Sequence, residues 1–167
     1  MGNGGIVLRS TNGGANWTAQ TLDLQDLYSA WIDPSGIGLL TGKGRVFRTV
    51  DFGATWTPVQ LGTYHSMLNK VSFGTDENGA SAGWQPMRGF ENGVLRTTNG
   101  GRTWSNATAG NSQWLGVHLL ANGTGWLGGG VGANRSTTDF FATSTTHTGP
   151  SVAIRCTWAF DADTAIV

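Results

Sequence analysis

Arg96-Thr97-Thr98-Asn99-Gly100-Gly101-Arg102-Thr103-Trp104 decides the fold of this chain, because the same nine residues return in other spellings. Arg9-Ser10-Thr11-Asn12-Gly13-Gly14-Ala15-Asn16-Trp17 and Arg48-Thr49-Val50-Asp51-Phe52-Gly53-Ala54-Thr55-Trp56 superpose on it without gaps. A worn copy, Ser136-Thr137-Thr138-Asp139-Phe140-Phe141-Ala142-Thr143-Ser144, has lost the glycine and the tryptophan. The copies are 39, 48 and 40 residues apart, a period that fits one four-stranded propeller blade. An Asp or Asn in a tight turn bonds amides that the turn leaves unpaired, and the glycine two positions later permits a positive φ. The tryptophan then opens the next strand and is expected to fill a seam between blades. Asn12, Asp51, Asn99 and Asp139 therefore read as turn staples, with Trp17, Trp56 and Trp104 as packing residues. A role repeated in every copy is not the mark of a single catalytic or metal centre.

Between the copies the sequence alternates. Tyr28, Asn69, Leu115 and Ile154 fall in one column; Ala30, Val71, Val117 and Cys156 fall in a second; Ile32, Phe73, Leu119 and Trp158 fall in a third. Mostly apolar columns at period two mark a strand with one buried face, read here as the innermost strand of each blade. Cys156, the single cysteine, reads as a small buried apolar residue. The turns that follow carry acids but keep no Ca2+-loop spacing. The 167 residues include 27 glycines and 8 tryptophans, and 10 basic residues balance 10 acidic ones. That composition suits short strands and tight turns rather than long helices. Zero net charge and scattered basic residues exclude a nucleic-acid footprint and a polybasic membrane anchor. No apolar run is long enough to span a bilayer and the opening residues do not read as a signal peptide, so the chain reads as soluble with its compartment open.

The nine-residue motif resembles the Asp-box, or BNR repeat, written Ser/Thr-x-Asp-x-Gly-x-Thr-Trp. Its spelling here looks most like photosystem II assembly factors and their bacterial relatives; similar repeats occur in sortilin-type receptors, sialidases and xyloglucanases. The expectation is an all-β chain, a β-propeller of four-stranded antiparallel blades, with four blade-equivalents and one blade split between the termini. Residues 1–167 form one domain on this reading. Its blades are 22–60, 61–108 and 109–149, and 1–21 complete a further blade with 151–167. Thr164-Ala165-Ile166-Val167 followed by Met1-Gly2-Asn3-Gly4-Gly5-Ile6-Val7-Leu8-Arg9 reads like Gly38 through Arg48. Three arrangements stay open: a four-bladed ring in one chain, an eight-bladed ring shared by a homodimer, or a piece of a longer propeller.

The resemblance implies a non-enzymatic module that binds a protein or a glycan, the alternative being a sialidase-like or other glycoside hydrolase fragment. Tyr28 and Tyr64, the only tyrosines, and the acids Asp23, Asp26 and Glu91 form no recognisable catalytic set. No cofactor is implied. His65, His118 and His147 share no metal-ligand spacing, so no metal site is expected. Binding is expected on the loops where the repeats stop agreeing, opposite the motif turns. Tyr64, His65 and Met67 lie on one such loop, and Trp84, Met87, Arg88 and Phe90 on another. Trp114, Lys70, His118 and Arg155 are added from the strands facing the channel. Arg9, Arg48 and Arg96 recur at equivalent positions, a stripe that is either structural or suited to acidic segments of a partner.

Overall fold

The computed structural model describes residues 2–61, 67–84, 93–149, 151–161 and 163–166. A single 3₁₀ turn, Asn3–Gly5, precedes sixteen short strands. Strands β1 (Ile6–Arg9) and β2 (Thr18–Thr21) make a two-stranded sheet. Next come three four-stranded antiparallel sheets, each in simple up-and-down order. The first holds β3 (Leu27–Ile32), β4 (Gly38–Gly42), β5 (Val46–Thr49) and β6 (Thr57–Val59). The second holds β7 (Met67–Phe73), β8 (Gly79–Trp84), β9 (Val94–Thr97) and β10 (Ser105–Asn106). The third holds β11 (Trp114–Leu119), β12 (Gly125–Gly129), β13 (Ala133–Thr137) and β14 (Thr145–Thr148). A last pair, β15 (Trp158–Ala159) and β16 (Ala165–Ile166), stands alone. The fold is an all-β propeller arc. Sheets stack in chain order, with β3 and β4 on β7, β7 and β8 on β11, and β11 and β12 on β15.

The four nine-residue segments are the turns between third and fourth strands, and all four close in the same way. The hydroxyl of Ser10, Thr49, Thr97 or Thr137 donates to the carboxyl or amide oxygen two residues on. The same hydroxyl accepts the N–H four residues on, from Gly14, Gly53, Gly101 or Phe141, at 2.9–3.0 Å. The Asn or Asp oxygen accepts the N–H of Asn16, Thr55, Thr103 or Thr143. The worn copy has lost its sequence signature and kept every one of these bonds. Each full sheet also ties its turn to the one after its inner strand: Phe52 N–H donates to Gly36 O, Gly100 to Glu77 O and Phe140 to Gly123 O. Both sets of turns therefore share one face.

Bonds from the Thr55 hydroxyl and N–H and from Thr49 lower the Asp51 carboxyl to about 2. That lies below the roughly 3.9 of an unfolded chain, so the charged form is the one the fold prefers. The contribution is complete above pH of about 4 and is lost as pH falls toward 2. Thermal melts followed by circular dichroism should therefore show a falling midpoint across that window. Asp51→Asn should flatten part of the fall, since Asn12 and Asn99 close the same turn without titrating. Superimposable acid limbs for the two proteins would contradict the assignment.

Seams between sheets hold the core. Leu39 and Val46 meet Leu68, Val71, Phe73 and Leu95, with Trp104 packed against them and edge-on to Phe73. Trp56 caps the seam of Val7 with Leu27, Leu40 and Phe47. In the third seam the motif turn supplies no tryptophan, because Ser144 stands in its place. Phe141 fills it instead, fully buried among Ala80, Ala82, Val94, Val117, Leu119 and Leu127. It does so from the glycine position of the motif and with φ of 61°. At the equivalent Gly101, with φ of 76°, a Cβ would lie 2.8 Å from the end of the Leu39 side chain, which would have to shift.

Three readings of the sequence change here. The last column slips by one: Ile32, Phe73 and Leu119 oppose Gly38, Gly79 and Gly125, and the matching pair is Ala159 with Ala165, not Trp158. Cys156 is exposed rather than buried, because its segment has left the strand geometry. Trp17, expected to fill a seam, is 60% exposed. Among the described residues no ladder joins β16 to β1, and the two pairs remain separate sheets.

Candidate functional site

Five of the residues expected at a binding surface, Tyr64, His65, Met87, Arg88 and Phe90, lie outside the described residues. Met67 and Trp84 are cross-strand partners at the far end of β7 and β8, both half-buried. Lys70 is exposed on β7, close enough to His118 for its charge to act on the ring. His118 is a seam residue. Its Nδ1 accepts the N–H of Ala159 at 2.9 Å and its ring stacks on Trp158. Burial first, and then Lys70, hold its pKa below the ordinary value, which suits a nitrogen that must stay unprotonated to accept. Arg155 is exposed, three residues before β15.

Trp114 corrects the expectation. It is 2% exposed, part of the third-seam cluster, and its Nε1 donates to Gly110 O. Gly93 and Gly129 make the room: a Cβ on either would meet the indole at 2.9 or 3.1 Å. Trp114 borders a small cleft of about 210 Å³ with Asn111, Ser112, Asn134 and Arg135, but presents almost no surface to it.

The inner strands share a device that the alternation hid. Register shifts at Tyr28, at Asn69 and at Leu115, the same place in all three full sheets. The column of Tyr28, Asn69 and Leu115 is thus a column of β-bulges. At Asn69 the bulge sends Nδ2 to the carbonyl of Trp114 in the next sheet.

Two members of the arginine stripe act between sheets. Arg9 Nε donates to Phe52 O at 2.9 Å, and Arg48 Nε to Gly100 O at 2.7 Å, each carbonyl belonging to the next motif turn. Arg48 has one amino group left over, Nη2, buried and without a hydrogen-bond partner. Arg48 borders the larger cleft, of about 490 Å³, between β5 and β6 and the neighbouring motif turn. Thr49, Thr55, Thr57, Gln60 and Thr103 supply hydroxyl and amide groups, Val50, Pro58 and Val59 supply apolar wall, and Arg102 supplies a second guanidinium. Its lining contains no carboxylate. Burial, then the charge of Arg102, push the Arg48 pKa down, opposed by Asp33; an arginine so placed still stays charged at neutral pH. Two cations facing one recess repel each other, and an anion between them relieves both the repulsion and the unmet donor. This site lies on the motif-turn side, not on the variable loops. The sequence did carry a signal for it: Ala15, Ala54 and Ala142 occupy one motif position, and Arg102 alone breaks that column.

Two of the acids considered for catalysis are occupied, and the third, Glu91, lies outside the described residues. Asp23 meets Arg45 at 2.6 Å, and Asp26 accepts the N–H of Gly4. Among the described residues no cluster of three metal-ligating side chains occurs, and no helix is long and apolar enough to cross a membrane.

No protein-family model and no curated protein matches the chain. Solved structures do. YCF48 bound to a D1 peptide is 26% identical over 77% of this chain and 43% of its own, with a TM-score of 0.63. YCF48 from Cyanidioschyzon merolae is 24% identical over 73% of this chain and 38% of its own, with a TM-score of 0.57. An ancestral GH74 enzyme aligns with 91% of this chain and 21% of its own at 12% identity, with a TM-score of 0.60, a likeness of fold. The chain spans less than half the length of the YCF48 chains it matches.

Proposed function

We propose that this chain is an Asp-box (BNR-repeat) propeller module that binds a segment of a partner protein through a carboxylate, without catalysing a reaction on it. The observation that carries the reading is the cleft between β6 and the neighbouring motif turn, where Arg48 offers an unmet donor and Arg102 a second cation. Guanidinium groups bind carboxylates in a planar, two-bond geometry, and surrounding threonine hydroxyls can complete the ring of donors. Val50, Pro58 and Val59 would take the apolar side of an extended peptide. Likeness to a YCF48 that was solved with a peptide supports a polypeptide ligand. The glycan and glycoside hydrolase readings rest on a likeness of fold at 12% identity.

Fluorescence anisotropy with labelled acidic peptides, carrying a free or an amidated C-terminus, tests the proposal. Acidic peptides should bind, and binding should weaken as salt rises. Arg102→Ala should weaken it about tenfold to a hundredfold, in keeping with loss of a charge-assisted bond, while leaving the melting midpoint nearly unchanged. Arg102 is exposed and its one bond within the protein is to Asn99 O, so the fold does not depend on it. Equal affinity of wild type and Arg102→Ala for these peptides, or no affinity in either, would reject this site.

A further inference from the structure

The seams between sheets repeat one contact, and the side chain that makes it differs each time. Trp31, Ser72 and His118 hold one position in successive inner strands, opposite Leu39, Ala80 and Trp126. Each reaches the following inner strand at a matching place. Trp31 stacks on Phe73 with centroids 4.3 Å apart. Ser72 Oγ accepts the N–H of Leu119 at 3.0 Å, and His118 Nδ1 accepts that of Ala159 at 2.9 Å. The first contact is thus apolar, the second is made by a neutral hydroxyl and the third by an imidazole. Only the third can change its charge near neutral pH.

We infer that His118 is an acid-sensitive latch, which holds β15 against β11 while its ring is neutral and releases it on protonation. This does not depend on the peptide reading. A neutral imidazole has one accepting nitrogen, and here it is committed to the Ala159 N–H. A proton on Nδ1 turns that acceptor into a donor and sets two N–H groups head to head. Flipping the ring in place brings carbon to Ala159, and swinging it out gives up the stack on Trp158, at 4.3 Å between centroids. An imidazolium is attracted to the indole face, but Trp158 is 55% exposed and water weakens that attraction.

The surroundings favour the neutral ring. Burial comes first and the Lys70 ammonium second, and both hold the His118 pKa below its ordinary value. On the strands packed against β11, Lys70 is the only titratable side chain; β8, β12 and β15 carry none. Arg155 and Cys156 precede β15, Asp161 and Asp163 follow it, and none of them offsets Lys70 at the ring. His147 on β14 lies against Trp126, the cross-strand partner of His118. A histidine pKa lowered by folding gives a latch that is complete above about pH 6.5 and is lost as pH falls through the folded value. Asp51 titrates at about 2, and hydrogen bonds hold Asp161 below the ordinary carboxylate range, so both stay charged in that window.

Release is local. Ile154 is buried, and its N–H donates to Gly129 O, so the chain stays anchored to the third sheet while β15 leaves it. β15 itself has only a two-residue ladder with β16. Acid therefore opens one seam and leaves those closed by Trp31 and Ser72 intact.

Hydrogen exchange of the Ala159 amide, corrected for the intrinsic effect of pH, tests the latch beside NMR titration of the His118 ring. Between about pH 8 and about pH 5, Ala159 protection should fall about tenfold, the worth of one hydrogen bond, with the midpoint of that ring. Protection in β7–β9 should hold. His118→Asn places an oxygen that does not titrate where Nδ1 stands, and should keep Ala159 protected throughout. Lys70→Ala removes a like charge and should move the midpoint to higher pH; His147→Gln should not move it. Protection that ignores pH in the wild type overturns the inference. So does an equal fall in His118→Asn, a fall shared by β7–β9, or a midpoint that follows His147. Should His118→Asn leave Ala159 unprotected at every pH, Lys70→Ala decides, and an unmoved midpoint there overturns the latch.

Discussion

Phe141→Ala is expected to cost about 3–5 kcal/mol, the range for emptying a packed aromatic site. Phe141 has no exposed surface and packs into the third seam from the motif turn, with the half-buried Phe140 against the same cluster. Its backbone stands at φ of 61°, where any side chain is strained by about 1–2 kcal/mol. Alanine would keep that strain and lose the packing. Phe141→Gly would lose the packing and relieve the strain, so the glycine variant should be the more stable of the two although it removes more atoms. Adding Ser144→Trp to Phe141→Gly rebuilds the motif of the other copies and should recover part of the loss. Chemical denaturation of the three variants decides the matter. Two single changes with equal cost and no rescue by the tryptophan would show that Phe141 does not substitute for it.

Thr97→Val should cost about 2–3 kcal/mol, more than its small change in shape suggests. The Thr97 hydroxyl is buried, donates to Asn99 Oδ1, and accepts the N–H groups of Asn99 and Gly101. Valine fills the space and leaves the Gly101 N–H buried without an acceptor, which carries a penalty of about 1–3 kcal/mol. Losing the bond that orients Asn99 adds to it. Thr97→Ser keeps the oxygen and should stay within about 1 kcal/mol of wild type. A valine variant as stable as the serine one would mean that the turn closes through Asn99 alone.

The repeated motif made the strands and turns legible, because each copy is a local solution to the same backbone problem. Reading Asn99 and Gly101 as the closing residues nevertheless missed Thr97, whose hydroxyl accepts two of the turn's amides. Threonine is common enough in strands to pass unnoticed, and only its burial shows that it is committed to the turn. Periodicity failed where geometry departs from period two. The bulges at Tyr28, Asn69 and Leu115 insert a residue, and the stretch before β15 has only a two-residue ladder to hold its phase. Trp114 was misplaced for a different reason. Whether a tryptophan beside a variable loop faces in or out depends on the space across from it, and that space is made by Gly93 and Gly129, distant in sequence. The Arg48–Arg102 cleft falls between two sheets, so neither copy of the motif contains it. The arginine stripe, and a single arginine among alanines, were its traces.

Because the main contacts of each full sheet among the described residues are with its neighbours in chain order, the arc has the statistical mechanics of a zipper. Its interior units are stapled on both flanks by an Arg–carbonyl clamp, a seam or a bulge-borne amide, and its outermost units on one flank only. Unfolding free energy should accordingly be graded along the chain, highest in β7–β9 and smallest in β1–β2 and β15–β16. In an open arc those outermost pairs are fraying ends, and hydrogen exchange there reports local opening rather than global stability.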